Sequence, residues 1–343
     1  MRRIKLLPIL LGALVLPPMT VAAGGPQHGD GRPDGRGGTV WVVNRDRGEV
    51  SIFDARSGVL LATEPTGAGA HEVAISKRVH KAYITNETDN SVSIVSTRTL
   101  DDSELPLGPA PHHVEPSRDG RTILVGLVGT NAVARIDART GEVTRTYTSS
   151  ANPAARAHGP YLLGDTIYVA HETGNEVTGI DADTGAIEFT VGGIIQPTEV
   201  LPDRHSGRLY VSARGEGKVK VLDLQTHAII HEIAVGTQPE TLLLTRDRKT
   251  LIVSLRGTPA RLAFVDTRSL TVTDTVDLAG AGSFGDLAAM SRNGRLVYAT
   301  FDRGATGVGG VAVVDIRRRT VIDTWDYPDV GRLHGVAFSP DRP

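Results

Sequence analysis

The stretches Ile-Phe-Asp (52–54), Arg-Ile-Asp (135–137) and Val-Val-Asp (313–315) are copies of one short element that recurs along the chain. Each copy ends an apolar run in Asp, or once in Ser, and further apolar runs flank it across polar turns. The seven copies end at Asp54, Ser96, Asp137, Asp181, Asp223, Asp266 and Asp315. The steps between these ends are 42, 41, 44, 42, 43 and 49 residues. A period of about 40 residues with several short strands per unit is typical of a β-propeller blade.

The unit around Tyr83 shows how many strands one copy contains. Residues 71–76 and 80–86 are predicted to form two strands joined by a short turn, residues 91–96 a third, and residues 102–106 a weak fourth. These runs are rich in Val, Ile, Thr and Tyr and are bounded by Gly, Asn and Asp, as strands and hairpins are. No segment carries a helical period. We therefore predict an all-β fold, a seven-bladed β-propeller of four-stranded blades.

The two ends of the propeller are expected to pair with each other. Residues 39–44 (TVWVVN) match the second strand of a unit whose first strand is missing, and residues 333–339 (LHGVAFS) match a first strand without a unit of its own. Placing the last strand beside the first completes the seventh blade and covers both open edges.

The chain divides into three regions. Residues 1–23 have a basic start, an apolar core at residues 6–18 and a small-residue end at 21–23, the pattern of a secretory signal peptide. Residues 24–38 have almost no apolar side chains and are expected to form a flexible leader. Residues 39–343 are predicted to form the propeller. The protein is thus expected to be exported, periplasmic or secreted, with no membrane span once the signal is removed.

Composition excludes several functional classes. The chain has no Cys, which rules out disulfides, thiolate metal sites, c-type haem attachment and lipoprotein anchoring. Its formal net charge is −2, and it becomes more negative when the basic residues of the signal are removed. Nucleic acid is not an expected partner because nucleic-acid binders are usually basic. We expect a monomer.

Several of the strand sequences resemble a known repeat. The matching segments are Ala-Tyr-Ile-Thr-Asn (82–86), Trp-Val-Val-Asn (41–44), Tyr-Val-Ala (168–170), Tyr-Val-Ser (210–212), His-Gly-Val-Ala-Phe-Ser-Pro-Asp (334–341) and Pro-His-His-Val-Glu-Pro-Ser-Arg-Asp-Gly (111–120). In these segments the chain resembles the YVTN family of secreted seven-bladed propellers. The resemblance implies that fold over residues 39–343 but specifies no activity. Propellers of similar fold include lactonases and dehydrogenase subunits, and some exported YVTN proteins are associated with DNA binding.

Aligning the units identifies one repeated position at the start of each innermost strand. Its residues are His71, His112, His158, Thr198, Glu240, Asp286 and His334. Because the innermost strands all run the same way around the axis, this position is expected to form a ring at one rim of the central channel. Imidazoles and carboxylates are zinc ligands, so His71, His112, His158 and His334 are predicted metal ligands. The alternative is that each His caps its strand and bonds to a neighbouring blade.

The second strands are predicted to end at the same rim. With the carboxylates of the first ring, they give a ligand-binding rim of Arg45, Glu87, Glu172, Arg214, Glu240, Arg256, Asp286 and Asp302. His113, His205, His227 and His231 are instead expected to be solvated surface side chains.

These residues support three hypotheses about function. The first is a non-catalytic exported propeller that binds a metal ion such as zinc, a small anion or a protein at the rim. The second is a hydrolase of lactonase type in which a rim metal activates water, with Glu240 or Asp286 as the base. The third is DNA binding through a patch of Arg214, Lys218, Lys220 and Arg256, against the net negative charge. No catalytic residue is assigned.

Overall fold

Seven four-stranded antiparallel sheets surround a central channel in the computed structural model. The structure describes residues 37–280, 284–303, 308–327 and 333–343. The predicted signal peptide lies outside the described residues, as does the predicted leader except for its last two glycines. The all-β, seven-bladed prediction is confirmed.

The strands are numbered in chain order, and each blade is given from its inner strand outward. Blade 1 consists of β28 (Leu333–Ser339), β1 (Thr39–Asn44), β2 (Glu49–Asp54) and β3 (Leu60–Pro65). Blade 2 consists of β4 (Ala70–Ser76), β5 (Lys81–Asn86), β6 (Ser91–Ser96) and β7 (Asp102–Pro106). Blade 3 consists of β8 (Pro111–Pro116), β9 (Thr122–Leu127), β10 (Ala132–Asp137) and β11 (Val143–Thr148). Blade 4 consists of β12 (Ala157–Leu163), β13 (Thr166–His171), β14 (Glu176–Asp181) and β15 (Ile187–Gly192). Blade 5 consists of β16 (Pro197–Asp203), β17 (Arg208–Ala213), β18 (Lys218–Asp223) and β19 (Ile229–Ala234). Blade 6 consists of β20 (Pro239–Leu244), β21 (Thr250–Leu255), β22 (Arg261–Asp266) and β23 (Thr271–Asp277). Blade 7 consists of β24 (Phe284–Met290), β25 (Leu296–Asp302), β26 (Gly309–Asp315) and β27 (Thr320–Tyr327).

The predicted closure is present. β28 pairs antiparallel with β1, with Thr39 opposite Ser339 and Trp41 opposite Ala337. Blade 1 therefore takes its inner strand from the C-terminal end of the described chain and its other three strands from the N-terminal end. This arrangement covers the inner edge of β1.

The repeated Asp has a local structural role in six of the seven blades, and a Ser replaces it in blade 2. It ends the third strand, and its carboxylate accepts hydrogen bonds from the two backbone N–H groups of the following turn. In blade 3, Asp137 accepts from the N–H of Arg139 (2.9 Å) and of Thr140 (2.8 Å). In blade 2, the Ser96 hydroxyl takes that place for Thr99 at 3.2 Å. Asp and Ser thus recur at this position because their side-chain oxygens stabilise the turn that follows the third strand.

The apolar core lies between the blades. Seven buried clusters are found among the described residues, each shared by two neighbouring blades. Between blades 1 and 2, for example, Trp41, Ile52 and Ile84 pack together with no exposed surface. Each blade is therefore stabilised by both neighbours, so the ring must close to bury all of its faces.

The described residues contain one short 3₁₀-helix, Arg214–Glu216, at the end of β17. No helix in the described part of the chain is long and apolar enough to cross a membrane.

Candidate functional site

Each inner strand carries a β-bulge at the position that the alignment singled out. In blade 2, Ala70 pairs with Asn86 and Val73 pairs with Ile84, so His71 and Glu72 both lie opposite the one residue between Ile84 and Asn86. The other six inner strands have the same two-residue interruption. A bulge of this kind re-aims side chains that would otherwise alternate between the two faces of a strand.

We call the first bulge residue of the seven blades the collar. Its members are His71, His112, His158, Thr198, Glu240, Asp286 and His334. The four histidines lie on consecutive blades, and their rings are in contact. The ring centroids are 3.6 Å apart for His71 and His112, 3.9 Å for His71 and His334, and 4.4 Å for His112 and His158.

Two of the collar histidines are held by neighbouring blades. Nδ1 of His158 lies 2.8 Å from the Thr198 carbonyl oxygen, and Nε2 of His334 lies 3.2 Å from a carboxylate oxygen of Asp286. These contacts fit the structural role that was the alternative to metal binding. At these two positions, a contact with a neighbouring blade is enough to explain the presence of a histidine.

The other two collar histidines are not held in this way. The Nδ1 atoms of His71 and His112 are buried and have no hydrogen-bond partner among the described residues. Nδ1 of His71 is 3.9 Å from a Glu72 oxygen, which is too long for a hydrogen bond. A buried ring nitrogen without a partner is costly, so a ligand that these two atoms could bind would stabilise them.

Glu87 completes a potential ligand set with these two histidines. It follows β5 directly, and one ligand atom each from His71, Glu87 and His112 can be chosen so that all three lie within 4.8 Å of one another. Two imidazoles and a carboxylate are a common set for zinc. Glu87 also accepts an ion pair from Arg45 at 2.5 Å, which places a competing positive charge beside the set.

Burial controls the protonation of the collar. It holds the pKa of His71 well below its usual range, and the charges of His112 and His334 act in the same direction. The pKa of His112 is lowered in the same way, by burial first and then by His158 and His334. Both rings are therefore neutral at pH 7, the form that offers a lone pair to a metal.

The arginines of the predicted rim are paired with its carboxylates. Arg214 binds both oxygens of Glu240, at 2.8 Å and 2.5 Å, and reaches Glu172 at 2.6 Å. Arg256 lies 3.2 Å from Asp286. The two carboxylates considered as a catalytic base thus each carry an arginine partner.

Asp302 occupies the last position of β25, beside Arg303. Arg303 pairs with Asp326 of the outer strand at 2.9 Å. Arg303, the residue after Asp302, is thus held by the outer strand β27.

Comparison with known proteins identifies the family. Residues 47–308 match the family described as outer membrane protein assembly factor BamB, PQQ_2. The chain belongs to this BamB-like family. The match supports the propeller and its repeats, whereas the YVTN resemblance is not confirmed by it. Among curated proteins, none matches the chain.

Solved structures with low sequence identity share the fold. A functionally unknown protein from Desulfotomaculum acetoxidans has a TM-score of 0.72 at 12% identity over 89% of this chain and 99% of its own. Dihydro-heme d1 dehydrogenase NirN has a TM-score of 0.63 at 15% identity over 88% of this chain, and the match spans 66% of the NirN chain. Kuenenia stuttgartiensis hydrazine synthase has 0.61 at 16% identity over 71% of this chain and 76% of its own. At these identities the likeness shows the fold alone.

One expectation about a histidine is wrong. His113 was expected at the surface, but it is the second bulge residue of β8, and its side chain is only 13% exposed. Burial alone would lower its pKa, but Glu72, 2.9 Å away, raises the pKa to about 10. The bulge is the reason, because it turns two consecutive residues of each inner strand toward the channel.

Sequence reasoning also missed the hydroxyl groups that join the blades at the collar. Thr85, opposite the bulge of blade 2, accepts from the Glu72 N–H (3.1 Å) and donates to the His112 carbonyl of blade 3 (2.6 Å). Thr300 donates in the same way to the His334 carbonyl at 2.8 Å. The available signal was a Thr near the end of the second strand, one residue before the end of β5 and two residues before the end of β25.

The patch considered for DNA consists of cations that are already paired. Lys218 and Lys220 bind Glu232 at 2.6 Å and 2.5 Å, and Lys220 also binds Glu216 at 2.7 Å. With the pairs of Arg214 and Arg256, each of the four positive charges faces a carboxylate.

A buried histidine beside the rim predicts a pH dependence of stability. His171 is fully buried, and burial lowers its pKa to about 4. In the unfolded chain a His has a pKa of about 6.5. Between pH 6.5 and pH 4 the unfolded state therefore binds a proton that the folded state does not, so the free energy of unfolding falls as the pH decreases. The loss reaches about 3 kcal/mol, since one pKa unit is worth about 1.4 kcal/mol. Urea unfolding at pH 7.5 and pH 4.5 should show a smaller acid loss for His171→Gln. Equal acid losses for the two chains would contradict this assignment.

Proposed function

We propose that the chain acts outside the cytoplasm as a binding propeller whose collar holds a divalent cation of the zinc or copper class. The ligands are His71, His112 and Glu87. The observation that carries the proposal is that His71 and His112 each bury an Nδ1 atom without a hydrogen-bond partner among the described residues. One ligand atom from each of these histidines and one Glu87 oxygen can also be chosen so that all three lie within 4.8 Å of one another. The match to a family described as an outer membrane protein assembly factor supports the exported location.

The charges around the set favour binding over hydrolysis. A hydrolytic mechanism would need a free carboxylate to take a proton from a metal-bound water. Glu240 is held by Arg214, and Asp286 lies between Arg256 and His334. Both carboxylates thus stabilise the collar, which supports a bound cation with a structural or partner-recruiting role.

Calorimetric titration of the metal-stripped chain with Zn²⁺ and Cu²⁺ tests the proposal. We expect about one ion per chain, and at least a hundredfold weaker binding in His71→Ala/His112→Ala, because each lost ligand removes a coordinate bond. The matched control is His205→Ala/His231→Ala, which removes two exposed imidazoles outside the collar, one in the turn after β16 and one on the outer strand β19.

A gain of affinity provides the complementary measurement. Arg45→Gln removes the positive charge that binds Glu87 at 2.5 Å, so metal binding should become severalfold tighter. If the control histidine pair lost as much affinity as the collar pair, and Arg45→Gln changed nothing, the ion would be bound elsewhere.

A further inference from the structure

The repeat places a second ring of charged side chains at the opposite mouth of the channel. The position six residues after each collar residue holds Lys77, Arg118, Gly164, Arg204, Arg246, Arg292 and Pro340. Five of the seven are cationic and none is acidic. Since each inner strand crosses the channel once, these residues lie at the end away from the collar. We call the five cations the basic mouth.

The side chains of the basic mouth converge on one opening. Lys77, Arg118, Arg204 and Arg246 line the channel cavity, which has a volume of about 610 Å³. Burial lowers the pKa of Lys77, and the nearby positive charges of Arg246 and Arg292 act in the same direction. Like charges therefore face one another across the opening.

The cations of the basic mouth have no ion-pair partner among the described residues. In residues 37–280 and 284–303, where all five lie, none of them forms an ion pair or a side-chain hydrogen bond. The adjacent carboxylates are engaged elsewhere. Asp119 accepts from Ser117 and from the Arg121 N–H, and Asp203 is paired with Arg248.

Two of the arginines lie across turns of neighbouring blades. Arg204 of blade 5 has a guanidinium nitrogen 2.5 Å from the place that a Cβ of Gly164 would occupy in blade 4. The aliphatic part of Arg246 lies 3.1 Å from the equivalent place at Gly294 in blade 7. Glycine at both turns leaves room for the arginines to lie along the rim of the opening. Their positions are thus set by the repeat.

The acidic residues of the same cavity are Glu72, Glu115 and Glu199, and all three lie within inner strands. Lys77, Arg118 and Arg204 follow them by five, three and five residues and lie in the turns after β4, β8 and β16. Along each inner strand the carboxylate therefore comes before the opening at which the cation lies. The wall between them includes Leu201 and Leu243.

We propose that the basic mouth is a second ligand site, which binds a small multivalent oxyanion bearing phosphate or carboxylate groups. The guanidinium group of arginine binds phosphate and carboxylate groups through two parallel hydrogen bonds. Because several cations converge on one opening, a ligand with more than one negative charge is favoured. The site is independent of the metal proposed at the collar.

Calorimetry of the purified chain with sodium tripolyphosphate and with citrate, at constant ionic strength, tests this site. We expect saturable binding of at least one of the two, near one anion per chain. Arg118→Gln/Arg246→Gln should weaken it at least tenfold. Arg139→Gln/Arg268→Gln removes the same charge from exposed turns that follow third strands on the same face, and should stay within twofold.

Three outcomes would overturn the proposal. One is no saturable binding of either anion by a folded chain, as judged by circular dichroism. Another is an equal loss in the control pair, which would indicate general charge attraction. The third is binding to vesicles of anionic phospholipid, lost in the Arg118/Arg246 variant, without binding of either free anion.

Discussion

A chain that ends at residue 332 is expected to lose its cooperative fold, because β28 is the inner strand of blade 1. Leu333, Val336 and Phe338 are buried in the cluster between blades 1 and 7. Burial of each such side chain contributes about 1.5–3 kcal/mol. Together they approach the whole stability of a typical domain, about 5–15 kcal/mol. The truncation would also leave the inner edge of β1 unpaired.

Thermal melting followed by circular dichroism, with gel filtration, measures this effect. The matched control is a chain without residues 24–36, a segment of similar length outside the described residues, which should melt like the intact protein. An unchanged melting midpoint after removal of residues 333–343 would show that the ring does not depend on its closing strand.

Arg214→Met is expected to destabilise the protein by about 3–5 kcal/mol, the cost of leaving a buried ionic partner unpaired. Glu240 is only 7% exposed, and Arg214 holds both of its oxygens. Burial alone would lower the pKa of Arg214, but Glu240 and then Glu172 raise it, so the cation is strongly held. This loss of stability comes from leaving the Glu240 carboxylate buried without its cation. Adding Glu240→Gln to the Arg214→Met chain removes that charge and should therefore restore part of the stability.

Urea unfolding of the two single variants and the double variant gives the coupling energy of this pair. The control is Arg261→Met, which breaks an ion pair of 2.5 Å with Asp277 whose two side chains are 44% and 55% exposed. An exposed pair of this kind is worth about 0–1 kcal/mol. Equal losses at Arg214 and Arg261 would contradict the view that the collar is an ordered network of buried charges.

Local signals in the sequence were sufficient to predict the fold. The Asp or Ser that ends each third strand is visible because its turn chemistry is local, and it gave the blade number. Strand bounds also follow from apolar runs and the turn residues that flank them: the predicted first and last strands, 39–44 and 333–339, have the observed bounds. Closure followed from counting strands, since one unit lacked its first strand and another segment was left over.

The site was predictable only in part. Alignment of the units identified the collar position because it occurs at the same place on every inner strand. The contacts between neighbouring imidazoles could not be predicted in this way, because they depend on the width of the ring. His113 was misplaced because the bulge is a property of two paired strands and leaves no mark on one of them. His158 has a hydrogen-bond partner at Nδ1 and His71 has none among the described residues. This difference depends on the position of a carbonyl oxygen in the next blade, which cannot be read from the spacing of residues in the sequence.

Diffraction from crystals of the zinc-loaded chain, measured at the zinc absorption edge, would locate the bound ion. We expect one strong anomalous peak at the collar, with nitrogen atoms of His71 and His112 about 2.0–2.1 Å away and a Glu87 oxygen at about 2.0–2.2 Å. A peak only at exposed histidines such as His205 or His231, or no peak at the collar in fully loaded crystals, would contradict it.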